Sequence, residues 1–238
     1  MNPNILYEDN QLLVCCKPAG VPVQSRQIGV MDMESSLKNY LALKGNSGQP
    51  PYLGLIHRLD QPVEGILCFA RTPAAAASLS SQLTDGTMRK YYLAITTSVP
   101  AHAQGTLTDY LLKDGRKNLS AVADPTVKGA KKSVLSYQVL AVQESLALLE
   151  IQLKTGRHHQ IRVQLSHAGY PLWGDTKYNP QASSADEWLQ IALCAYRLEF
   201  RHPAAGKDMA FQIMPENEIF RTFAEYLPNI CSTCTDNL

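Results

Sequence analysis

One carboxylate among basic and apolar neighbours marks the first place in this chain where chemistry could be done. In His57-Arg58-Leu59-Asp60-Gln61-Pro62-Val63-Glu64-Gly65-Ile66-Leu67, Asp60 stands where a strand-like run hands over to a Pro-containing turn, a common place for a presented functional side chain. An ionised carboxylate buried there is costly unless paired. The residues allow two readings: a turn-forming Asp paired with Arg58, or a working acid or base. A second cluster is Lys154-Thr155-Gly156-Arg157-His158-His159-Gln160-Ile161-Arg162-Val163-Gln164-Leu165. On a helix His158 and Arg162, four apart, share a face. Arg162 is then either a surface arginine or a partly buried one that needs an anion, for which Asp60 is the candidate. The third piece is Lys90-Tyr91-Tyr92-Leu93-Ala94. In a strand only one of the two tyrosines can face a given cleft.

Other chemistries lack their signatures. The chain has no Gly-rich phosphate loop, no dinucleotide fingerprint, no His-Glu-x-x-His and no Gly-x-Ser-x-Gly. His158 and His159 would lie about 100° apart on a helix, which suits them poorly as joint metal ligands. No metal and no cofactor is expected. Cys15, Cys16, Cys68 and Cys194 sit in apolar strand-like runs, where free Cys behaves as a small buried hydrophobe. That use fits a reducing cytosol better than a disulfide framework. Cys231-x-x-Cys234 stands alone in a polar tail and reads as incidental spacing.

The elements that must position these groups follow from pattern. Strands are predicted at Ile5–Glu8, Leu12–Cys16, Leu53–Ile56, Ile66–Ala70, Lys90–Thr96, Val134–Val142, Ala147–Leu153, Ile191–Phe200 and Met209–Ile213. Helices are predicted at Ser36–Lys44, from Thr72-Pro73 to about Leu83, from His158 to about His167 with Thr155 as cap, and at Glu216–Leu227. Asn46–Pro51, Gly169–Asn179 and Ser183–Trp188 read as loops or short turns. Between Pro100 and Val134 the chain turns polar and carries Lys113, Arg116, Lys117, Lys128, Lys131 and Lys132. This is either a solvated excursion or an edge that touches phosphates. Many strands without regular βαβ alternation argue α+β, with a large mixed, mainly antiparallel sheet and flanking helices.

With 238 residues, 45% hydrophobic and 18% charged, the chain can bury a substantial core. One catalytic domain over 1–228 and a frayed polar tail over 229–238 are expected. The net charge of +1 means that a nucleic-acid partner would meet local rather than global positive charge. No secretory signal and no run of ~20 apolar residues is present. The expectation is a cytoplasmic monomer with no membrane attachment and no obligate protein partner.

The three pieces, taken in order, resemble the pseudouridine synthases of the RluA/RsuA superfamily, and more closely its RluA-like branch. The likeness covers nearly the whole chain. It opens with Ile5-Leu6-Tyr7-Glu8-Asp9 through Lys17-Pro18-Ala19-Gly20 and continues with His57-Arg58-Leu59-Asp60 and Gly65. Lys90-x-Tyr92-x-Ala94 is similar to the family's tyrosine motif and selects Tyr92 over Tyr91. Thr155-Gly156-Arg157-x-His159-Gln160-Ile161-Arg162, Gly174-Asp175-x-Lys177-Tyr178 and Leu193-x-Ala195-x-x-Leu198-x-Phe200-x-His202-Pro203 complete it. Each word is short, but their order and spacing are specific.

The resemblance implies that a uridine in rRNA or tRNA is isomerised to pseudouridine without a cofactor, in a catalytic domain that lacks the small N-terminal RNA-binding extension of many relatives. It implies Asp60, Tyr92 and Arg162 as catalytic, with an adjacent Arg162 favouring the ionised Asp60. Tyr92 would stack on the uracil. His57, Arg58, Arg157, His159, Gln160 and Leu193 would contact substrate, Leu193 in the base pocket and Arg58 in the gap left by the unstacked base. Two departures stand out. Gln61-Pro62-Val63-Glu64-Gly65 replaces the usual Arg-x-Thr-Ser-Gly, and His158 stands where Thr is usual. The alternatives are an idle RNA-binding protein on this fold and a nucleoside glycosidase using Glu64 as a second acid.

Overall fold

Strands dominate the computed structural model, which describes residues 3–25, 27, 29–45, 50–182 and 190–227. In chain order the elements are β1 (Asn4–Glu8), β2 (Leu12–Lys17), α1 (Met33–Lys44), β3 (Gly54–Leu55), β4 (Glu64–Ala70), α2 (Pro73–Asp85), β5 (Arg89–Thr96), β6 (Gln104–Asp114), β7 (Leu119–Val122), β8 (Lys131–Gln143), β9 (Leu146–Leu153), α3 (Gln160–His167), β10 (Leu193–Arg201) and β11 (Asp208–Gln212). The architecture is α+β, a large and mainly antiparallel sheet with few helices, as the patterning predicts. The chain divides into two compact units: Met1–Arg89 with Ala195–Ile213, and Lys90–Cys194 with Met214–Leu238.

In the first unit the strands run in the order β1-β2-β4-β10-β11, with β3 pairing β4. Side chains alternate across this layer. Leu12 and Val14 of β2 and Ile66, Cys68 and Ala70 of β4 share a core with Leu198 and Phe200 of β10, and Ala75 and Leu79 of α2 join it. Helix α2 forms as its sequence demands. Thr72 accepts a hydrogen bond from the Ala75 amide, Pro73 opens the first turn, and Gly86 closes it at φ 83°. Helix α1 starts three residues before its expected position, because Asp32 caps it by accepting from the Ser35 amide.

The second unit orders its strands β5-β9-β8-β6-β7, with every neighbouring pair antiparallel. Here the polar stretch after Pro100 departs from expectation. It holds β6 and β7, and the cations Lys113, Arg116, Lys117, Lys128, Lys131 and Lys132 are all exposed on it. Strand β6 escapes a hydrophobic reading because its outward positions are Thr106 and Thr108 and its inward ones include Gly105 and Asp109. The C-terminal helix expected over 216–227 is instead a 3₁₀ helix at Glu218–Phe223, capped by Asn217. The turn expected at 183–188 and the tail over 229–238, with Cys231 and Cys234, lie outside the described residues. Cys15, Cys68 and Cys194 are buried and Cys16 is half-buried, and among the described residues none of them forms a disulfide. Burial pushes the Cys15 thiol up to about 12, which makes it inert.

Gly65 is a point of close approach. It holds φ +138°, and a Cβ there would stand 2.5 Å from both the Cβ and the carbonyl oxygen of Ala195. We expect Gly65→Ala to lower unfolding free energy by roughly 2 kcal/mol or more through overpacking and backbone strain. Urea denaturation would check this, and a variant within 0.5 kcal/mol of the parent, on the order of an innocuous surface change, would contradict it.

Candidate active site

Asp60 follows β3 and opens the turn into β4; the Val63 amide donates to its carbonyl at 3.0 Å. What fixes this turn is Lys17, at the end of β2. The residue is 1% exposed, and its ammonium donates to the carbonyls of Pro18 (2.9 Å), Val21 (2.7 Å) and Gln61 (2.9 Å). The Gly20 amide also donates to the Gln61 carbonyl, and the Gln61 side-chain amide returns a bond to the Gly20 carbonyl. One buried cation thus ties the Lys17–Gly20 turn to the Asp60–Gln61 turn. Burial pulls the Lys17 pKa down to about 8, against the attraction of Asp60 and Glu64, which favours its charged form. Asp60 therefore sits, half-buried, in the field of an ammonium of its own unit.

The neighbours of Asp60 divide by depth. Arg58 is exposed, whereas His57 and Leu59 are buried. His57 accepts at Nε2 from the Cys68 amide of β4 (3.3 Å), which assigns the ring proton to Nδ1 in the neutral form. The unusual segment also acquires a reason. Gln61 braces the Gly20 turn, and Glu64 is no turn residue but the buried first residue of β4, within the field of Lys17.

In the second unit, Arg162 is the organising cation. Its guanidinium donates from Nε to Asp175 Oδ2 (2.8 Å) and from Nη2 to Asp175 Oδ1 (2.6 Å), and both side chains are almost fully buried. This bidentate pair supplies the anion that a buried Arg162 requires. Within its own unit, Asp175 is an anion for Arg162. Asp175 Oδ1 also accepts from the Lys177 and Tyr178 amides, and the Arg162 guanidinium lies 5.1 Å over the Tyr178 ring. The Trp173 amide donates to the Ile95 carbonyl, and Leu172 bridges Thr96. The Asp175 turn is thereby docked on β5, the strand that carries Tyr92. Gly174 permits this path: at φ +72° a Cβ would meet the Gln190 carbonyl oxygen at 2.6 Å.

Helix α3 begins at Gln160, not at His158, so Thr155 is not its cap. His159 holds the cap position in the left-handed region, φ 53°, without a side-chain capping bond. The shared-face geometry expected of His158 and Arg162 therefore does not apply. The two histidines are instead stacked, ring centroids 3.7 Å apart. His158 bonds Ser120 Oγ (2.9 Å) and Asn118 Oδ1 (3.0 Å), joining the β6–β7 hairpin to the head of α3. Tyr178 accepts from the Ser120 amide and bonds His159 Nδ1 at 2.7 Å. With that nitrogen as acceptor the ring is neutral. Burial, and then the charges of Arg162, His158, Lys177 and Lys113, push its pKa down to about 2.

Gln160 is buried and spends its amide inside the fold. It accepts from Thr155 Oγ1 (2.7 Å) and the Arg157 amide (3.0 Å), and donates to the Val134 carbonyl and Gln164. It shapes the loop on which Arg157 is exposed, with Arg157 Nε on the Lys132 carbonyl at 3.1 Å. Tyr92 and Leu193 are buried, while Tyr91 is half-buried and its hydroxyl accepts from Gln152. The structure thus groups His57, Arg58 and Asp60 in the first unit, and Tyr92, Arg157, His159, Gln160, Arg162 and Leu193 in the second. Lys17, Asp175 and Tyr178 are the site-forming residues to which the sequence reading assigned no role, although all three lie in the motifs it quoted.

Comparison with known proteins shows the family to which the chain belongs. A family model described as RNA pseudouridylate synthase matches residues 11–167. An uncharacterised RNA pseudouridine synthase of Mycoplasma pneumoniae is 32% identical over 227 residues, covering 95% of this chain and 70% of the relative. Ribosomal large subunit pseudouridine synthase D of Neisseria meningitidis is 32% identical over 230 residues, covering 91% of this chain and 59% of its own length. Among solved structures, human RNA pseudouridylate synthase domain containing 4 superposes with a TM-score of 0.76 at 26% identity, covering 94% of this chain and 93% of that one. The chain belongs to the RNA pseudouridylate synthase family, in its RluA-like branch, and is an isomerase that acts on RNA. Among the described residues no helix is long and apolar enough to cross a membrane.

Two stability outcomes follow. Asp175→Ala removes both charge-assisted bonds from a buried guanidinium and should cost about 3–5 kcal/mol. Lys17→Met takes the ammonium from the carbonyls of Pro18, Val21 and Gln61, of which, among the described residues, only that of Gln61 keeps a second donor, the Gly20 amide, and should cost about 2–4 kcal/mol. Chemical denaturation of each variant checks the values; near-parental midpoints would show that the cation is not what holds its turn.

Proposed function

We propose that this enzyme converts a uridine of structured RNA, with large-subunit ribosomal RNA as the first candidate, to pseudouridine, and that Asp60 supplies the essential carboxylate. The observation that carries this reading is the seat of Asp60: a half-buried carboxylate on a turn braced from below by the Lys17 ammonium. A charge-bearing turn held that firmly suits a preorganised group better than a loop contact. The choice of ribosomal RNA draws on relatives such as the Neisseria enzyme.

In the proposed reaction the C1′–N1 glycosidic bond breaks, the uracil turns, and a C1′–C5 bond forms. The proton on C5 leaves and N1 gains one, so the isomerisation balances without an oxidant or reductant. Asp60 must be ionised whether it attacks the sugar or takes a proton from it. Lys17 favours that form within its unit, and in the other unit Arg162, oriented by Asp175, is proposed as a further catalytic residue. Tyr92 stacks on the uracil and assists the late proton transfer. Leu193 lines the base pocket. The exposed Arg58 fills the gap left by the extruded base, and the exposed Arg157 contacts phosphate. His57, His159 and Gln160, buried and bonded within the protein, contribute by holding Arg58–Asp60 and Thr155–Arg157 in place.

Asp60→Asn should abolish pseudouridine formation while leaving RNA affinity within about threefold, since a neutral isostere keeps the turn's shape and removes the charge. The assay maps pseudouridine in total RNA from cells that lack the gene and are complemented with parent or variant. Equal pseudouridine from both would remove Asp60 from the mechanism. No gene-dependent pseudouridine at all would favour an RNA-binding protein on this fold.

A further inference from the structure

Among the described residues of the second unit, one buried lysine takes no part in the interactions described above. Lys90, the second residue of β5, is 8% exposed. Among the described residues its ammonium has neither a hydrogen bond nor an ion pair. The ammonium lies beside the exposed Gly156, 3.5 Å from the place a Cβ on that glycine would take. The stem is buried while the ammonium keeps access to solvent, a placement that uses a lysine stem to hold a charge at one spot. Lys17 shows how this fold treats a lysine that serves structure: three carbonyls surround it. Lys90 has no such cage.

Lys90 lies beside the loop that carries Arg157 and on the strand that carries Tyr92. Lys90 and Tyr92 stand two residues apart on β5, hence on one face and roughly 7 Å apart along the strand. The Thr155–Arg157 loop, shaped by Gln160, brings the exposed Arg157 beside Gly156, and Arg157 leans on the carbonyl of the exposed Lys132. Lys154, also exposed, is turned onto Gln152. We propose that Lys90 binds a phosphate of the RNA strand that carries the target uridine, with Arg157 as the second cation of that site. The proposal depends on the reading of Tyr92 as the platform for the base: a nucleotide stacked there has its own or an adjoining phosphate within reach of Lys90.

Burial alone pulls the Lys90 pKa down to about 8, which provides a readout that a space-filling role would not move. Phosphate binding needs the protonated amine, so affinity for RNA should weaken as pH rises through and above about 8. Lys90→Arg keeps its charge throughout this range and should show a flat profile between about pH 7 and 9.

The experiment measures binding of unmodified large-subunit rRNA transcript, and pseudouridine formed in it, for the parent, Lys90→Met and Lys90→Arg. The expected result is about tenfold weaker binding by Lys90→Met and a salt dependence shallower by about 0.7 in log–log slope, the loss of one phosphate contact on a single strand. Melting temperatures report whether each variant is folded, and if Lys90→Met is not, the pH profiles of parent and Lys90→Arg decide. Parental affinity and slope in a folded Lys90→Met, or identical pH profiles for parent and Lys90→Arg, would overturn the phosphate role. A parent enzyme that neither binds nor modifies RNA would instead overturn the functional reading beneath it.

Discussion

A buried ammonium surrounded by carbonyl oxygens is the constraint on which the Asp60 turn depends. Lys17 cannot leave its position at the end of β2 without taking its donor from the carbonyls of Pro18 and Val21 and leaving that of Gln61 to the Gly20 amide alone. Those carbonyls cannot move without exposing a desolvated charge. The result is a turn whose backbone is set by electrostatics rather than by apolar packing. The charge that sets it lies near the carboxylate it presents. Substitutions at Gln61 and Glu64 are tolerable in this frame because both residues work within it.

The second unit repeats the device with different chemistry. Arg162 and Asp175 form a planar, bidentate pair, and the same carboxylate gathers the amides of Lys177 and Tyr178. Around it, uncharged polar groups complete a chain from Tyr178 through His159, with His158 stacked beside it, to the β6–β7 hairpin. His159 stays neutral because burial and neighbouring cations both oppose its protonation. The network is therefore insensitive to physiological pH at this residue. The cost of burying so many polar groups is offset by their nearly complete mutual satisfaction.

Together these arrangements separate two tasks that a motif alone merges. Buried members such as His57, His159, Gln160, Lys17 and Asp175 set geometry. Exposed members such as Arg58 and Arg157 are the ones proposed to meet RNA. Positive charge need not be abundant for that purpose, and the chain's net charge of +1 is compatible with RNA binding because the exposed cations of β6–β8 are local.

Much of the fold was legible from the chain alone. The short apolar runs of β2, β4, β5 and β9, and the Thr72-Pro73 to Gly86 frame of α2, are local signals, since an apolar run between turn formers marks a strand and a cap followed by Pro marks where a helix can start. The order of motifs around Asp60, Tyr92 and Arg162 was equally explicit, and with it the family. Only tertiary structure could decide who partners whom. Nothing local says that Arg162 takes Asp175, thirteen residues on, or that Lys17 closes over Gln61, forty-four residues on. The Thr-rich β6 and the late start of α3 were hidden for the same reason. Asp109 of β6 is met by Gln164, and His158 and Gln160 at the head of α3 by Ser120 and the Val134 carbonyl; a buried polar residue shows its purpose only once the oxygen or nitrogen it meets is in place.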